Sequence, residues 1–483
     1  MRYAMPISAP NPDLLLLHSL ADRAFSRAAG APVVDGNRVR LLRDARENYP
    51  AWLAAMTAAQ HHIHFENYIF CDDEAGAPFA ELLMQKAREG VRVRVVYDWL
   101  GGFGKTSPAF WERLREAGVD VRCFNPPRVD SPLGWLSRDH RKMIAVDGDM
   151  GFITGLCICR MWTGAPEKGI EPWRDTGVEV HGPAVADIER AFAQVWAMLG
   201  TPLPDDELID AAQLAPAGDV RMRIVATVPA TAGLFRVDQL VAQLAHQRLW
   251  LTDAYYAGTA PYVQALCAAA RDGVDVRLLV PNATDLPLLQ PLSRAGYRPL
   301  LEAGVRVFEW NGTMLHAKTA VADGQWARVG STNLNLASWL GNCELDAVIE
   351  DAAFARAMEA MYEDDLQNAT EIVLDARHRL HAPGAPRRPR PGMTSGGGRS
   401  GRAAAGAIRI GNTVSAAFTG RRTLEPVEAR ITLITAAALF VLAVLFMLFP
   451  PLLAYPAITL LAWGAAALAW RGVRLWRAQH RRL

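Results

Sequence analysis

At 483 residues the chain is long enough for two to four domains, each able to bury its own core. Hydrophobic residues make up 51% and charged residues 21%, a globular balance leaning slightly towards the membrane class. The formal net charge of +1 conceals an asymmetry: from Arg377 onwards there are sixteen arginines, no lysine and only two acids, Glu425 and Glu428. The body before it is correspondingly acidic, which argues against non-specific nucleic-acid binding.

No secretory signal opens the chain. Leu14 to Leu17 is too short and too closely flanked by Asp13, His18, Asp22 and Arg23 to be a signal core or a span, and reads as a short amphipathic helix. The catalytic part is therefore expected in the cytoplasm. Next comes an internal duplication. AREGVRVRVVYD (Ala87 to Asp98) is echoed by ARDGVDVRLLVPN (Ala270 to Asn282), each a helix end, a glycine cap and a buried alternating strand. REAGVDVRCFNP (Arg115 to Pro126) is echoed by LEAGVRVFEW (Leu301 to Trp310), and HIHFENYIF (His62 to Phe70) by RLWLTDAYYA (Arg248 to Ala257). Both halves run strand, helix, strand, helix, strand, motif, which predicts an α/β chain with a mixed or mostly parallel sheet and helices on its faces.

The Pro- and Asp-rich stretch 200–219 separates the halves, which gives 1–205 and 206–376. A basic linker, 377–429, has the Pro/Gly/Arg/Ser composition of a flexible segment. Two uncharged runs follow, Ile431 to Phe449 and Leu452 to Trp470, each about long enough to cross a ~30 Å hydrocarbon core. Pro450 and Pro451 break them apart, so 430–472 reads as a transmembrane helical hairpin, with a basic tail at 473–483. Arg421, Arg422 and Arg430 lie before the hairpin and Arg471, Arg474, Arg477, Arg481 and Arg482 after it, whereas the turn has none. That bias places both flanks and the catalytic body on the cytoplasmic side, with Trp463, Trp470 and Trp476 near the interface.

The chemistry is carried by two copies of H-x-K-x₄-D: His140, Lys142 and Asp147, then His316, Lys318 and Asp323. Alternation puts His and Lys of each copy on one strand face, because i and i+2 share a side. Two such faces give a pocket with two imidazoles and two ammoniums. One histidine can attack phosphorus, the other protonate the leaving alkoxide, and the lysines hold the phosphoryl oxygens. By contrast, His61, His62 and His64 have no ligand partner in the sequence and read as structural or exposed, and Glu66 as an isolated buried acid. Arg141 has a phosphate-binding and a packing reading side by side. The six cysteines are scattered; Cys157 and Cys159 form no zinc pattern, and reduced, buried thiols are expected.

The motif pair resembles the phospholipase D superfamily, whose fuller pattern is H-x-K-x₄-D-x₆-G-S-x-N. The second copy matches through Gly330, Ser331, Thr332 and Asn333. The first departs, reading Thr154, Gly155, Leu156 and Cys157, so Cys157 stands where the asparagine belongs. A thiol is a poorer donor to phosphate than a carboxamide. The resemblance also implies a carboxylate past each motif to orient an imidazole, for which Glu344 and Asp175 are the candidates, the latter displaced by an extra loop from Thr163 to Pro172. Asp147 and Asp323 complete the site set as structural residues as much as chemical ones, not as nucleophiles.

Within the superfamily the chain is most similar to bacterial cardiolipin synthases (the B-like members), over roughly Gly36 to Leu366. The resemblance implies two duplicated α/β/α sandwich halves with the active site between them, followed by the hairpin. It implies a phosphatidyl transfer in which His140 attacks phosphatidylglycerol, His316 protonates departing glycerol, and a second phosphatidylglycerol takes the phosphatidyl group to give cardiolipin. The opposite division of labour between the histidines stays open. No metal and no cofactor is expected; the partner is an anionic phospholipid membrane of the bacterial cytoplasmic kind. Hydrolysis, or transfer to another alcohol, is the alternative, and oligomeric state is left open.

Overall fold

The computed structural model describes residues 12–127, 137–286, 289–374 and 380–381, with scattered positions between 440 and 470. The chain divides into two compact units, Met1–Phe124 with Asp139–Gly392, and Asn125–Arg138 with Met393–Leu483. All of the chemistry below lies in the first.

That unit opens with a helix, Pro12–Ala29, and is then built on one large mixed sheet. Its first seven strands are β1 (Val34–Arg43), β2 (His62–Asn67), β3 (Arg92–Asp98), β4 (Asp120–Phe124), β5 (Lys142–Val146), β6 (Met150–Thr154) and β7 (Thr176–His181). The next seven are β8 (Val220–Thr227), β9 (Arg248–Thr252), β10 (Asp275–Pro281), β11 (Arg306–Trp310), β12 (Thr319–Ala322), β13 (Trp326–Gly330) and β14 (Glu344–Glu350). β15 (Ala369–Leu374) and β16 (Leu380–His381) extend the far edge beyond β11. From the middle outwards the first set runs β1-β7-β6-β5-β2-β3-β4 and the second β8-β14-β13-β12-β9-β10-β11, the same order position by position.

The local sequence explains this order. β2, β3 and β4 are parallel, as are β9, β10 and β11, because helices return the chain between them. The glycine ending the helix before β3 and before β10 is left-handed, Gly90 and Gly273 both at φ 93°, a conformation that costs other residues energy. The remaining pairs are antiparallel, and short turns join β5 to β6 and β12 to β13. β1 and β8 link the halves through Val34↔Met222 and Asn37↔Val220, with an irregularity between.

One apolar cluster lies in the first half, around Trp52, Phe65, Phe79 and Trp162, and one in the second, around Leu251, Tyr262 and Tyr297. A third runs through both, joining Val178 and Trp196 to Val329 and Ile349. Each such fully buried side chain contributes about 1.5–3 kcal/mol. The shared cluster therefore holds the two motif-bearing ends in a fixed relation.

Two expectations need comment. Reduced thiols throughout is corrected at one pair, since Cys71 and Cys159, separated by 88 positions, form a disulfide. The chain passes Phe70 and Ile158 side by side as an isolated bridge, which brings the following cysteines together. Cys123, Cys157, Cys267 and Cys343 take no part in a disulfide. The hairpin expected over 430–472 lies mostly outside the described residues; among the described residues no helix is long and apolar enough to cross a membrane.

Candidate active site

Each motif histidine directly precedes a central strand, His140 before β5 and His316 before β12. Both are placed by main-chain bonds to the opposite half. His140 N donates to the Cys343 carbonyl at 2.9 Å, and His316 N to the Arg174 carbonyl at 2.7 Å. The residues after those two carbonyls are the expected acids, Glu344 and Asp175. The acids occupy equivalent places, since Gly155 N bonds the Thr176 carbonyl as Ser331 N bonds that of Leu345.

The pairing is reciprocal across the halves. His140 Nδ1 lies 2.9 Å from Glu344 Oε2, and His316 Nδ1 lies 2.7 Å from Asp175 Oδ2. All four groups are buried. A carboxylate can only accept, so each Nδ1 carries its proton and each Nε2 keeps a lone pair. Lys318 Nζ also lies 2.8 Å from His316 Nδ1, but a protonated Nδ1 cannot accept from it as well. The contact with the carboxylate prevails, and Lys318 donates to the His316 carbonyl; Lys142 does the same to that of His140.

The electrostatics follow from burial and these partners. Burial, then Lys318, pushes His316 down to about 3 against the pull of Asp175. Burial also lowers His140, with Lys142 and Lys318 adding to it while Glu344 opposes. Burial lowers Lys318 to about 8. For Asp175 burial acts upwards, but His316, Lys318 and the Trp162 indole outweigh it and hold the carboxyl at about 2. Glu344 is lowered likewise, burial being overcome by His140, Lys142 and Ser331. Lys142 depresses both His316 and Lys318, so the two motifs share one electrostatic neighbourhood.

The departures in the first motif now have a physical reason. In the second half the Ser331 hydroxyl donates to Glu344 at 2.6 Å. In the first half the acid is one carbon shorter and lies against Gly155, where a Cβ would sit 2.2 Å from Asp175 Oδ1. The missing hydroxyl is replaced by Trp162 Nε1, which donates to Asp175 at 2.9 Å. Asn333 is buried with its side-chain carbonyl unpartnered, and Cys157 is buried with Lys142, Lys105 and Lys318 in its surroundings.

Asp147 and Asp323 are not at the imidazoles. Each sits at the far end of its strand in a left-handed conformation, φ 53° and 52°, accepting three backbone N–H groups. Gln60, His61 and His62 donate to Asp147, and His246, Gln247 and Arg248 to Asp323, at 2.7–3.0 Å. They fix the turn to β2 and β9, the structural side of the expected role. Arg141 takes its packing reading: it is fully buried and donates to the carbonyls of Ala191, Thr227 and Glu344. Arg174 pairs with Asp365 and Asp44 rather than with the Asp175 carboxylate.

The description "Cardiolipin synthase, PLD-like domain" matches residues 52–196 and 240–366. The chain belongs to the cardiolipin synthase family. A cardiolipin synthase of Halalkalibacterium halodurans is 32% identical over 361 residues, 72% of this chain and 70% of that one. Cardiolipin synthase A of Pseudomonas aeruginosa is 34% identical over 365 residues, 74% of this chain and 72% of its own. Phosphatidylserine synthase of Haemophilus influenzae has a similar solved structure, with a TM-score of 0.58 at 15% identity over 72% of this chain and 91% of that one. At that identity the likeness concerns the fold.

For a cardiolipin synthase-like site the sequence left out the aromatic walls. Tyr68 stands edge-on to His140 at 5.0 Å, and Tyr255 edge-on to His316 at 5.7 Å. Lys142 lies 5.1 Å over the first ring and Lys318 5.8 Å over the second. Trp162 and Trp173 flank His316. Two further readings are corrected. His62 and His64 do have partners, as developed below, and Glu66 is not isolated. Burial, then Asp139, raises Glu66 far above the usual range, and Asp139 itself is pushed by burial to about 6.

Proposed function

We propose that the chain is a phosphatidyltransferase that converts two phosphatidylglycerols into cardiolipin and glycerol through a phosphatidyl-histidine. The observation that carries this reading is the crossed pairing of two motif histidines with carboxylates of the opposite half, in a member of the cardiolipin synthase family. His140 is neutral, proton on Nδ1 and lone pair on Nε2, whereas His316 enters the first half-reaction as the imidazolium, with a second proton on Nε2 and its charge balanced by Asp175. His140 Nε2 attacks phosphorus, the glyceryl oxygen leaves with a proton from His316, and Glu344 steadies the charge appearing on the His140 ring. In the second half-reaction His316 takes the proton of an incoming hydroxyl, and the phosphorus–nitrogen bond breaks. One phosphodiester is lost and one gained, so no energy source is needed. Lys142, Lys318 and Asn333 hold the phosphoryl oxygens, while Tyr68 and Tyr255 exclude water from two sides.

A swapped division has its own support. Burial and Lys318 hold His316 at about 3, which favours the uncharged, attacking form there. Trapping of the adduct at neutral to mildly alkaline pH, where the phosphorus–nitrogen bond survives, and peptide mapping decide between the histidines. The transferase reading is tested with labelled phosphatidylglycerol in anionic vesicles. Cardiolipin and glycerol in equal amounts support it; phosphatidic acid as the main product replaces it with hydrolysis, and another diester identifies another alcohol acceptor.

The reading includes anchoring by 430–472, with the body facing the cytoplasm. Arginine flanks support that orientation, each worth about 1 kcal/mol beside anionic headgroups. The Cys71–Cys159 disulfide pulls the other way, because such bonds persist in oxidising compartments. Extraction of the chain from membranes at alkaline pH, with and without residues 377–483, tests the anchor. Protease access in spheroplasts tests the side.

A further inference from the structure

At the opposite end of β2 from the catalytic groups lies a second polar cluster. Period-two alternation puts His62 and His64 on one strand face, against the helix Val185–Met198. His62 Nε2 lies 2.6 Å from Glu189 Oε1, and His64 Nδ1 lies 3.8 Å from the same oxygen. On its other side His64 Nε2 faces Glu207 Oε2 at 3.8 Å, and Glu207 is gripped by Arg94 at 2.7 and 2.6 Å. His62, His64, Glu189 and Glu207 are all at most 4% exposed.

The hydrogen bonding does not close. At 3.8 Å neither contact of His64 is a hydrogen bond, so both of its ring nitrogens, with the second oxygen of Glu189, are buried without a hydrogen-bond partner. Each such group ordinarily costs about 1–3 kcal/mol. A proton on His62 would satisfy one Glu189 oxygen and leave the other three atoms as they are. An ion would take His62 Nε2, His64 Nδ1 and the carboxylate together, and these atoms all lie within 4.8 Å of one another. Ligand atoms about 2.1 Å from a tetrahedral ion stand about 3.4 Å apart, so the 2.6 Å contact opens slightly and the 3.8 Å contact closes.

The duplicated half supplies a control within the same chain. The place of His62 is taken there by Arg248, since both donate their N–H to the motif aspartate. Arg248 meets Glu359 at 3.3 Å, and Trp250, at the place of His64, stacks on Tyr362 as His64 stacks on Phe192. The second half thus answers its buried glutamate with a permanent cation. The first half offers two imidazoles instead.

The geometry points to a structural site for a divalent transition metal of the zinc class, held by His62, His64 and Glu189, with Glu207 orienting His64 through its other nitrogen. A carboxylate behind a metal-bound imidazole is the usual second partner of such a ligand. The ion would clamp β2 to the helix Val185–Met198. It is remote from the chemistry, since Lys142 pairs with Asn67, about 16 Å along the strand from His62.

The test uses the purified full-length chain, stripped with chelator and re-equilibrated with Zn²⁺ or Co²⁺. The paired variant His62→Arg with His64→Trp copies the second half and serves as a folded control. The wild type is expected to retain about one ion per chain and to gain about 5 °C in Tm with Zn²⁺ at a hundredfold excess over Kd. The variant is expected to do neither while still making cardiolipin. No retained metal and no zinc-dependent Tm shift in the wild type overturns the proposal, as does equal metal in the variant. A Tm that instead follows pH near His protonation assigns the cluster to an imidazolium–carboxylate pair.

Discussion

Replacing Asp175 with asparagine removes a charge and a hydrogen-bond acceptor with almost no change of volume. Three donors converge on the Asp175 carboxylate: His316 Nδ1 at 2.7 Å, Trp162 Nε1 at 2.9 Å and Thr176 N at 2.9 Å. A carboxamide has one acceptor oxygen: at the Oδ2 position it keeps His316 and Trp162 and sets its NH₂ against Thr176 N, and in the reverse orientation the NH₂ faces His316 and Trp162 instead. In either orientation His316, whichever role it fills, loses the negative partner of its imidazolium. At this separation and an effective dielectric constant near 20 that interaction is worth about 4–6 kcal/mol. With part retained by the amide dipole, a loss of about 4 kcal/mol gives a fall of roughly 10³-fold in kcat with KM little changed. Trp162→Phe keeps the charge and removes one donor, about 1.5 kcal/mol or roughly tenfold. Initial rates of cardiolipin formation from labelled phosphatidylglycerol measure both, with circular dichroism confirming the fold. An Asp175→Asn rate within tenfold of wild type refutes the orienting role; equal damage from Trp162→Phe assigns the effect to packing.

Reducing the Cys71–Cys159 bond, or changing both residues to serine, releases a loop of 88 residues and should cost about 4.5 kcal/mol, read as a lower urea midpoint. An unchanged midpoint in reductant would mean that the thiols are not joined. His140 and His316 have folded pKa values below the ~6.5 of the unfolded chain, so their contribution is full above about 6.5 and is lost as pH falls below it, for His316 down to about 3. Stability should drop by up to about 3 kcal/mol per pH unit where both differ, and urea unfolding that is flat between pH 7 and 4.5 would contradict this. Asp147→Asn and Asp323→Asn weaken a turn rather than the chemistry, so each should lower stability by about 1–3 kcal/mol. Their kcat per folded chain should stay within about threefold.

The duplication was legible because strand periodicity and helix-ending glycines are local properties: Gly90 and Gly273 announce the same turn before β3 and β10. The two H-x-K pairs were legible for the same reason. Contacts between the halves were not, since no local pattern says that His140 turns to Glu344 rather than to Asp175. Trp162 was hidden because it replaces a serine hydroxyl from a different place in the chain. Tyr68 and Tyr255 were hidden by register: aligning His62 with Arg248 puts Tyr68 opposite Ala254, one residue early. A sign was available at His62 and His64, whose i, i+2 spacing on a strand shares a face, but their partner Glu189 comes from a helix more than a hundred residues away.

The crossed pairing constrains how the duplication can work. A half on its own has an imidazole without its carboxylate and a carboxylate without its imidazole. Both halves also contribute to one apolar cluster, so separating them would expose Val178 and Trp196 as well as Val329 and Ile349. The site is thus complete within a single chain, and a defect in one motif cannot be supplied by an intact copy elsewhere. Equal mixing of His140→Ala and His316→Ala chains should therefore leave cardiolipin formation at the level of each alone. Two chains that exchanged halves would instead restore a quarter to a half of the wild-type rate. Recovery on mixing after mild denaturation, but not before, would place the exchange in folding, because the shared cluster must open before the halves can trade partners.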